Sequence, residues 1–151
     1  MDTAGIYARE RSRLDRYVQF GYASERVFSV SFPTAPDGDA HDEHPLLDRL
    51  DAYFAGDADG FRDVSVALTL STDRRAALES LRAVGYGENT TVSALARMTA
   101  GLSDDDDGRQ TVREALAANP APLVIGDHRV RDGPSAAPPE VVRRLRSLEG
   151  L

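Results

Sequence analysis

The 151 residues carry a formal net charge of −7, and 41% are hydrophobic and 28% charged, which is typical of a soluble globular protein. No Cys is present, so disulfides, thiolate metal sites and a thiol nucleophile are excluded from this sequence. No apolar run approaches the roughly 18 residues of a membrane span, and residues 1–5 lack the parts of a signal peptide, so we expect a cytoplasmic protein.

The first 71 residues are predicted to form a small α/β domain built on an antiparallel sheet. Three runs rich in Tyr, Val and Phe show partial alternation, which predicts strands over residues 5–9, 16–21 and 26–32. Apolar residues at helical spacing follow Pro45 and predict a helix that ends at Gly56. Alternation returns over residues 64–68, where we expect a further strand.

The second part of the chain, residues 72–151, is predicted to be mostly helical. Capping residues and apolar spacing indicate four helices. The first helix begins at Ser71 or Thr72, and the second runs from Thr90 or Thr91 to Met98. The third and fourth helices cover residues 109–118 and 141–148. A short buried strand is expected at residues 123–125. The predicted fold class is therefore α+β.

The charged residues are unusual in kind. All 18 basic residues are Arg, and Asp outnumbers Glu about two to one among the 25 acids. Dense carboxylates retain hydration at high salt, so this composition indicates a halophilic source, although a GC-rich genome that favours Arg and Asp codons gives the same bias. In a salt-rich cytoplasm the Debye length falls to about 3 Å, which screens repulsion between an acidic surface and DNA. The net charge therefore neither supports nor excludes DNA binding.

Several short motifs occur in an order and spacing that characterise one protein family. The second half contains Tyr86-Gly87-Glu88, Leu95-Ala96, Asn119-Pro120-Ala121-Pro122, Gly126-Asp127-His128-Arg129-Val130 and Leu145 to Gly150. The first half contains His44-Pro45-Leu46-Leu47 and Tyr53-Phe54-Ala55-Gly56. On these motifs the chain resembles the O6-alkylguanine-DNA alkyltransferases, or methylated-DNA–protein-cysteine methyltransferases, over nearly its whole length. The resemblance implies an N-terminal α/β domain at 1–71 and a winged-helix-like, DNA-binding domain at 72–151.

The resemblance also implies a catalytic site that is degenerate here. In the family a thiolate attacks the alkyl carbon on guanine O6, activated through a His, a bound water and a Glu. His128, Glu149 and Asn119 match family positions, but Asp127 replaces the Cys of the family signature. A carboxylate is a much weaker nucleophile, so we predict no cysteine-dependent alkyl transfer. Asp127 either forms a turn in which it accepts hydrogen bonds, or it belongs to a pocket that binds without reacting.

The residues that handle DNA in the family are also altered. The family flips the damaged nucleotide with an Arg of its recognition helix, while a Tyr rotates the phosphate. By resemblance, Gln110 stands at the Arg position and Val92 at the Tyr position. Arg109 and Arg113 share one helical face. These two side chains could contact phosphates or pair with the acidic run at residues 104–107.

The loop after the signature is shorter than in the family. Residues 131–139 lack the family's Tyr and its pair of Gly residues, so a base pocket built from them would lose one wall. Ser135 could still offer its hydroxyl to guanine O6, although Ser in a Pro-rich loop is usually a turn residue.

These observations favour an alkyltransferase-like DNA repair protein that is not an alkyl-transferring enzyme. Its expected partners are double-stranded DNA, with O6-alkylguanine as the candidate lesion, and a protein of a repair pathway. The alternatives are a true methyltransferase acting on O6-methylguanine and a divergent scaffold for protein contacts. We expect a monomer without a cofactor or a metal. His41 and His44 are spaced like metal ligands, but they lie in an acidic loop and are expected to be solvated.

Overall fold

An antiparallel sheet of three strands forms the first part of the computed structural model, which describes residues 4–151. The strands are β1 (Gly5–Arg11), β2 (Arg16–Ala23) and β3 (Arg26–Ser31), in the order β1-β2-β3. The three strands predicted before residue 33 are thus confirmed. Ser24 and Glu25 join β2 to β3 with φ values of 52° and 62°, so this two-residue turn has the type I′ signature that suits the twist of a hairpin.

Residues 64–68 do not form the predicted strand, and that prediction is wrong. They make one isolated parallel bridge, between Val27 and Val66, in which Ala67 donates its N–H to the Val27 carbonyl at 2.8 Å. Pairing does not continue, because the Val30 N–H on β3 donates to the carbonyl of Pro120 at 2.8 Å. The alternation reflects partial burial of Val64 and Val66 against the apolar core.

Five α-helices follow in the described part of the chain, and they confirm the predicted ones. They are α1 (Pro45–Phe54), α2 (Thr72–Leu81), α3 (Val92–Met98), α4 (Asp106–Ala117) and α5 (Pro139–Glu149). Helix α4 begins three residues before its predicted start, because the Asp105 side chain accepts a hydrogen bond from the Gly108 N–H at 2.8 Å and caps the helix. Within residues 4–151, no helix combines the length and apolarity needed to cross a bilayer.

His44 is the cap of α1 rather than a solvated loop residue, which corrects the expectation for it. Its Nδ1 accepts a hydrogen bond from the Leu46 N–H at 3.0 Å, and the residue is only 8% exposed. Burial is stabilised by aromatic neighbours, whose rings lie 4.6–5.1 Å from the imidazole. These neighbours are Tyr7, Phe20 and Tyr22. His41 remains exposed, as expected.

Residues 123–125 form a buried loop rather than the predicted strand. Leu123 has a φ of 78°, and the backbone makes an isolated bridge between Pro122 and Ile125 instead of a continuous ladder. Asn119 causes this shape, since its Oδ1 accepts from the Ala121 N–H at 3.0 Å and its Nδ2 donates to the Ile125 carbonyl at 2.9 Å. Because a short apolar run is equally compatible with a buried loop and a buried strand, the sequence pattern could not separate them.

Two apolar clusters form the core, and the loop at residues 121–130 contributes to both. The first joins the sheet and α1 to α5 and includes Leu123 and Val124 of this loop. The second joins α2, α3 and α4 and includes Ile125 and Val130. The proposed boundary at residue 71 stays a prediction, and the first cluster already draws residues from both sides of it.

Candidate functional site

The candidate site lies where the loop between the two clusters meets the end of α5. Asp127, His128 and Arg129 form a 3-10 turn whose residues are 1–2% exposed. Glu149 is the last residue of α5, and Gly150 closes that helix in the left-handed conformation at a φ of 78°. The turn and the helix end therefore hold four chemically important side chains inside the protein.

Asp127 is a buried carboxylate whose oxygens are occupied by neutral donors. The Ser135 hydroxyl donates to Oδ1 at 2.6 Å, and the Ala136 N–H and Asn119 Nδ2 donate to Oδ2 at 2.9 and 3.1 Å. Burial raises the pKa of Asp127 above that of an ordinary aspartate, while the three hydrogen bonds oppose this shift. The carboxylate thus adopts the turn-forming arrangement, and its donors come from the backbone and two neutral side chains.

Glu149 is a buried carboxylate of the opposite electrostatic kind. His128 Nε2 lies 2.7 Å from its Oε2, and the Arg129 guanidinium donates to both oxygens at 2.8 and 3.0 Å. The Tyr53 hydroxyl and the Gly87 N–H donate at 2.5 and 3.0 Å. Burial alone would raise the pKa of Glu149, but the hydrogen bonds from His128, Arg129 and Tyr53 outweigh it and hold the pKa well below its usual range.

The same contacts explain the state of Tyr53. Burial, reinforced by the adjacent Glu149 charge, raises the pKa of the Tyr53 phenol far above its ordinary value. Tyr53 therefore stays neutral and serves as a hydrogen-bond donor. Sequence reasoning missed both Tyr53 and Arg129. Arg129 stands in the signature motif and Tyr53 in the motif Tyr53-Phe54-Ala55-Gly56, but neither was assigned a role in the site.

His128 contacts Glu149 and makes no direct hydrogen bond to Asp127. Within residues 4–151, no hydrogen bond reaches its buried Nδ1 atom. The Asp127 oxygens are instead occupied by Asn119, Ser135 and Ala136. Nucleophilic catalysis requires a nucleophile within hydrogen-bonding reach of its base, directly or through one water. The geometry joins His128 to Glu149 as an ion-pair or hydrogen-bonded unit and leaves Asp127 outside that unit.

The predicted DNA-contact residues on α4 are divided between exposed and paired side chains. Gln110 and Arg113 are both exposed. Arg109 donates to Asp104 at 2.8 Å and to Asp106 at 2.7 Å, so it pairs with the acidic run. The hydrogen bond that Arg109 donates to Asp104 raises the pKa of Arg109 and lowers the pKa of Asp104. Arg113 is the α4 arginine that has no carboxylate partner among the described residues.

Val92 and Ser135, the remaining two predicted DNA-contact residues, face the protein. Val92 is 1% exposed, and its N–H donates to Asp132 Oδ1 at 2.8 Å. Gly133 packs so closely that an added Cβ would lie 2.7 Å from Leu116 and 3.2 Å from Val92. Together with the bond from Ser135 to Asp127, these contacts hold the loop after the signature against α3 and α4.

Comparison with known proteins identifies the fold. No family model and no curated protein matches the sequence. Among solved structures, a variant of the Mycobacterium tuberculosis O6-methylguanine methyltransferase matches with a TM-score of 0.74 and 18% identity, over 98% of this chain and 92% of that one.

Two further structures give the same result. The M. tuberculosis protein in complex with DNA matches with a TM-score of 0.71 and 19% identity, over 97% and 91% of the two chains. The O6-methylguanine-DNA methyltransferase of Pyrococcus kodakaraensis matches with a TM-score of 0.74 and 19% identity, over 97% and 100%. The chain therefore has the fold of the O6-methylguanine methyltransferases.

Proposed function

We propose that this chain is an alkyltransferase-like DNA repair protein that binds double-stranded DNA without transferring alkyl groups. The observation that carries the proposal is the state of Asp127, which stands where the resemblance places the nucleophile. Its carboxylate is 1% exposed and accepts three hydrogen bonds. O6-alkylguanine is the proposed lesion, because the fold is shared with proteins named for O6-methylguanine.

The chemistry at Asp127 argues against alkyl transfer. A carboxylate oxygen attacks an alkyl carbon poorly, and each hydrogen bond it accepts lowers its nucleophilicity further. Any ester formed would also be open to hydrolysis. No other position of this sequence supplies a thiol, because the sequence contains no Cys. The site therefore keeps the buried His128–Glu149 unit without a group for it to activate.

Two observations support DNA binding. One solved neighbour of the same fold is bound to DNA. In this chain, the outward face of α4 presents Gln110 and the unpaired Arg113. The acidic start of α4 repels phosphates at low salt, but the repulsion is short-ranged at high salt, where the Debye length is about 3 Å. We therefore propose that DNA binds along α4, and that the protein works in a salt-rich cytoplasm.

A scaffold function is the second candidate, and the closed loop favours it. Ser135 and Ala136 seal the Asp127 side of the site, and Gly133 fills the space beside Val92 and Leu116. A flipped base needs space at such a site. If residues 133–136 do not move, the chain can contribute protein contacts but cannot hold an extruded nucleotide.

Fluorescence anisotropy with labelled duplexes separates these functions. Matched duplexes carrying O6-methylguanine or guanine are titrated in high KCl with the wild-type protein and with two variants. These are Arg113→Glu on α4 and, as the control, Arg143→Glu on α5. The proposal predicts binding that Arg113→Glu weakens and Arg143→Glu leaves unchanged, with a preference for the modified duplex. Equal and negligible binding of both duplexes would leave only the scaffold function.

A further inference from the structure

A cavity lies beside α5, and none of the candidate-site side chains Asp127, His128, Arg129 and Glu149 lines it. It has a volume of about 360 Å³ and opens between α5 and the turn that joins β1 to β2. Its lining residues are Arg13, Leu14, Phe54, Arg144, Ser147 and Leu148. Leu14 and Phe54 belong to the first apolar cluster, and Leu148 packs against it. The cavity thus has an apolar floor and an arginine-rich rim.

The rim is positively charged in a protein whose net charge is −7. Among residues 4–151, the guanidinium of Arg13 has no hydrogen bond or ion pair. The Arg144 guanidinium donates to the Arg13 carbonyl, and its Nη2 lies 3.9 Å from Asp15 Oδ2. The side chains of Arg144 and Asp15 are both at least half exposed. The neighbouring Arg143 is exposed as well. Arg9, Arg11, Arg16 and Arg49 are each held by Asp or Glu, whereas Arg13 has no carboxylate partner among residues 4–151 and borders this cavity together with Arg144.

We propose that this cavity docks an acidic segment of a partner protein, which places one apolar side chain between Leu14, Phe54 and Leu148. Charge complementarity selects the acidic segment, since two guanidinium groups border the opening. The apolar floor selects a peptide over a nucleic-acid backbone, because phosphates and sugars gain nothing from apolar contact. A cavity of this size accommodates one large side chain, the usual anchor of a peptide in a groove.

The docking surface and the proposed DNA surface lie on different helices. Helix α5 turns Val141, Leu145 and Glu149 inward and presents Arg144 and Ser147 outward. The DNA-contact residues Gln110 and Arg113 belong to α4, which packs against α2 and α3. A partner can therefore bind this cavity while α4 remains accessible. The proposal goes beyond DNA binding and does not depend on it.

A fluorescein-labelled peptide of Asp and Glu residues around one central Phe tests the proposal. Its anisotropy is measured with the full chain, at the lowest KCl at which circular dichroism shows the folded protein. The expected result is saturable binding that the double variant Arg13→Glu/Arg144→Glu weakens at least about tenfold. The double variant Arg75→Glu/Arg113→Glu, an equal charge change on exposed positions of α2 and α4, is expected to leave it within about twofold.

Three results would overturn the docking surface. The first is absence of binding by the wild-type chain. The second is equal binding of a peptide with Ala in place of Phe, which would reduce the site to non-specific charge attraction. The third is loss of duplex DNA binding, instead of peptide binding, in Arg13→Glu/Arg144→Glu, which would make this face a nucleic-acid surface. Because DNA binding is followed in the same variants, failure here is distinguishable from failure of the proposed function.

Discussion

Asp127 and Glu149 are both buried carboxylates, and their surroundings give them opposite properties. Glu149 is bound by the Arg129 guanidinium and by His128, whereas Asp127 is bound by an amide, a hydroxyl and a backbone N–H. Hydrogen bonds with His128 and with the Arg129 cation lower the pKa of Glu149, while burial raises the pKa of Asp127, whose donors are neutral. The difference teaches that burial alone does not determine ionisation: the charge of the donors does.

The largest expected effect follows from removal of the Glu149 charge. Glu149→Gln leaves Arg129 as a buried cation without a counter-ion, because the Glu149 side chain is 0% exposed and the Arg129 side chain 2%. We expect the free energy of unfolding to fall by about 3–5 kcal/mol. Urea denaturation measures this loss. Glu79→Gln, at an exposed position of α2 without an ion pair among residues 4–151, is the matched control and should change the midpoint little.

A smaller loss is expected from Asn119→Ala, which tests the neutral side of the comparison. The change leaves the Ala121 N–H and the Ile125 carbonyl without their partner and removes one donor from Asp127. The free energy of unfolding should fall by about 2–3 kcal/mol, since each buried unsatisfied group costs about 1–3 kcal/mol. Urea denaturation measures this loss, with Asn89→Ala at an exposed position as the control. An equal loss in the two variants would contradict the role given to Asn119.

Tyr53→Phe tests how much one neutral donor contributes to the stabilisation of Glu149. It removes the hydroxyl that donates to Glu149 at 2.5 Å and keeps the packing of the ring. A hydrogen bond to a charged group contributes about 1.5–3 kcal/mol, and Arg129 and His128 still hold the carboxylate, so we expect a loss near the lower limit. Tyr17→Phe is the control, because its hydroxyl has no hydrogen-bond partner among residues 4–151. Thermal unfolding of both variants should show a loss for Tyr53 alone.

The smallest effect is expected from Asp127→Asn, and it depends on pH. Since the folded-state pKa of Asp127 is raised, its contribution to stability is full below the ordinary carboxyl pKa of about 4 and is lost as pH rises through the folded value. Asn cannot ionise, so the variant should be at least as stable as the wild type at neutral pH and should lose this advantage in acid.

Glu149 provides the opposite pH trend in the same titration. Its pKa is lowered, so its stabilisation is present above the ordinary carboxyl pKa and is lost as pH falls toward the folded value. Glu149→Gln should therefore be most deficient at neutral pH, and the deficit should shrink in acid. Unfolding measured from about pH 3 to about pH 8 tests both trends. A neutral-pH destabilisation of Asp127→Asn as large as that of Glu149→Gln would refute the contrast between the two sites.

Most of the regular structure was accessible to sequence reasoning, because periodicity and caps act locally. The three strands, the helix from Pro45 and the helix capped at Thr91 all followed from such signals. Residues 64–68 and 123–125 were wrongly predicted as strands, since their apolar pattern records burial and not pairing. Pairing is decided by distant partners, such as the Pro120 carbonyl that occupies the Val30 N–H.

The candidate site was only partly accessible in the same way. Resemblance supplied His128, Glu149 and Asn119, which the structure brings together around the 3-10 turn. The hydroxyl of Ser135 reaches Asp127 because of the path of a loop. The hydroxyl of Tyr53 reaches Glu149 from a helix in the first half of the chain. No local pattern encodes such contacts.

The central claim is that this chain does not accept an alkyl group, and transfer of a labelled methyl group tests it most directly. The protein is incubated in high KCl with a duplex carrying O6-[methyl-labelled]guanine, and protein-bound label is counted after digestion of the DNA. We expect no label on the wild-type chain even where anisotropy shows the duplex bound. Stoichiometric label on the wild type that disappears in Asp127→Asn would contradict it, because Asp127 would then be a nucleophile.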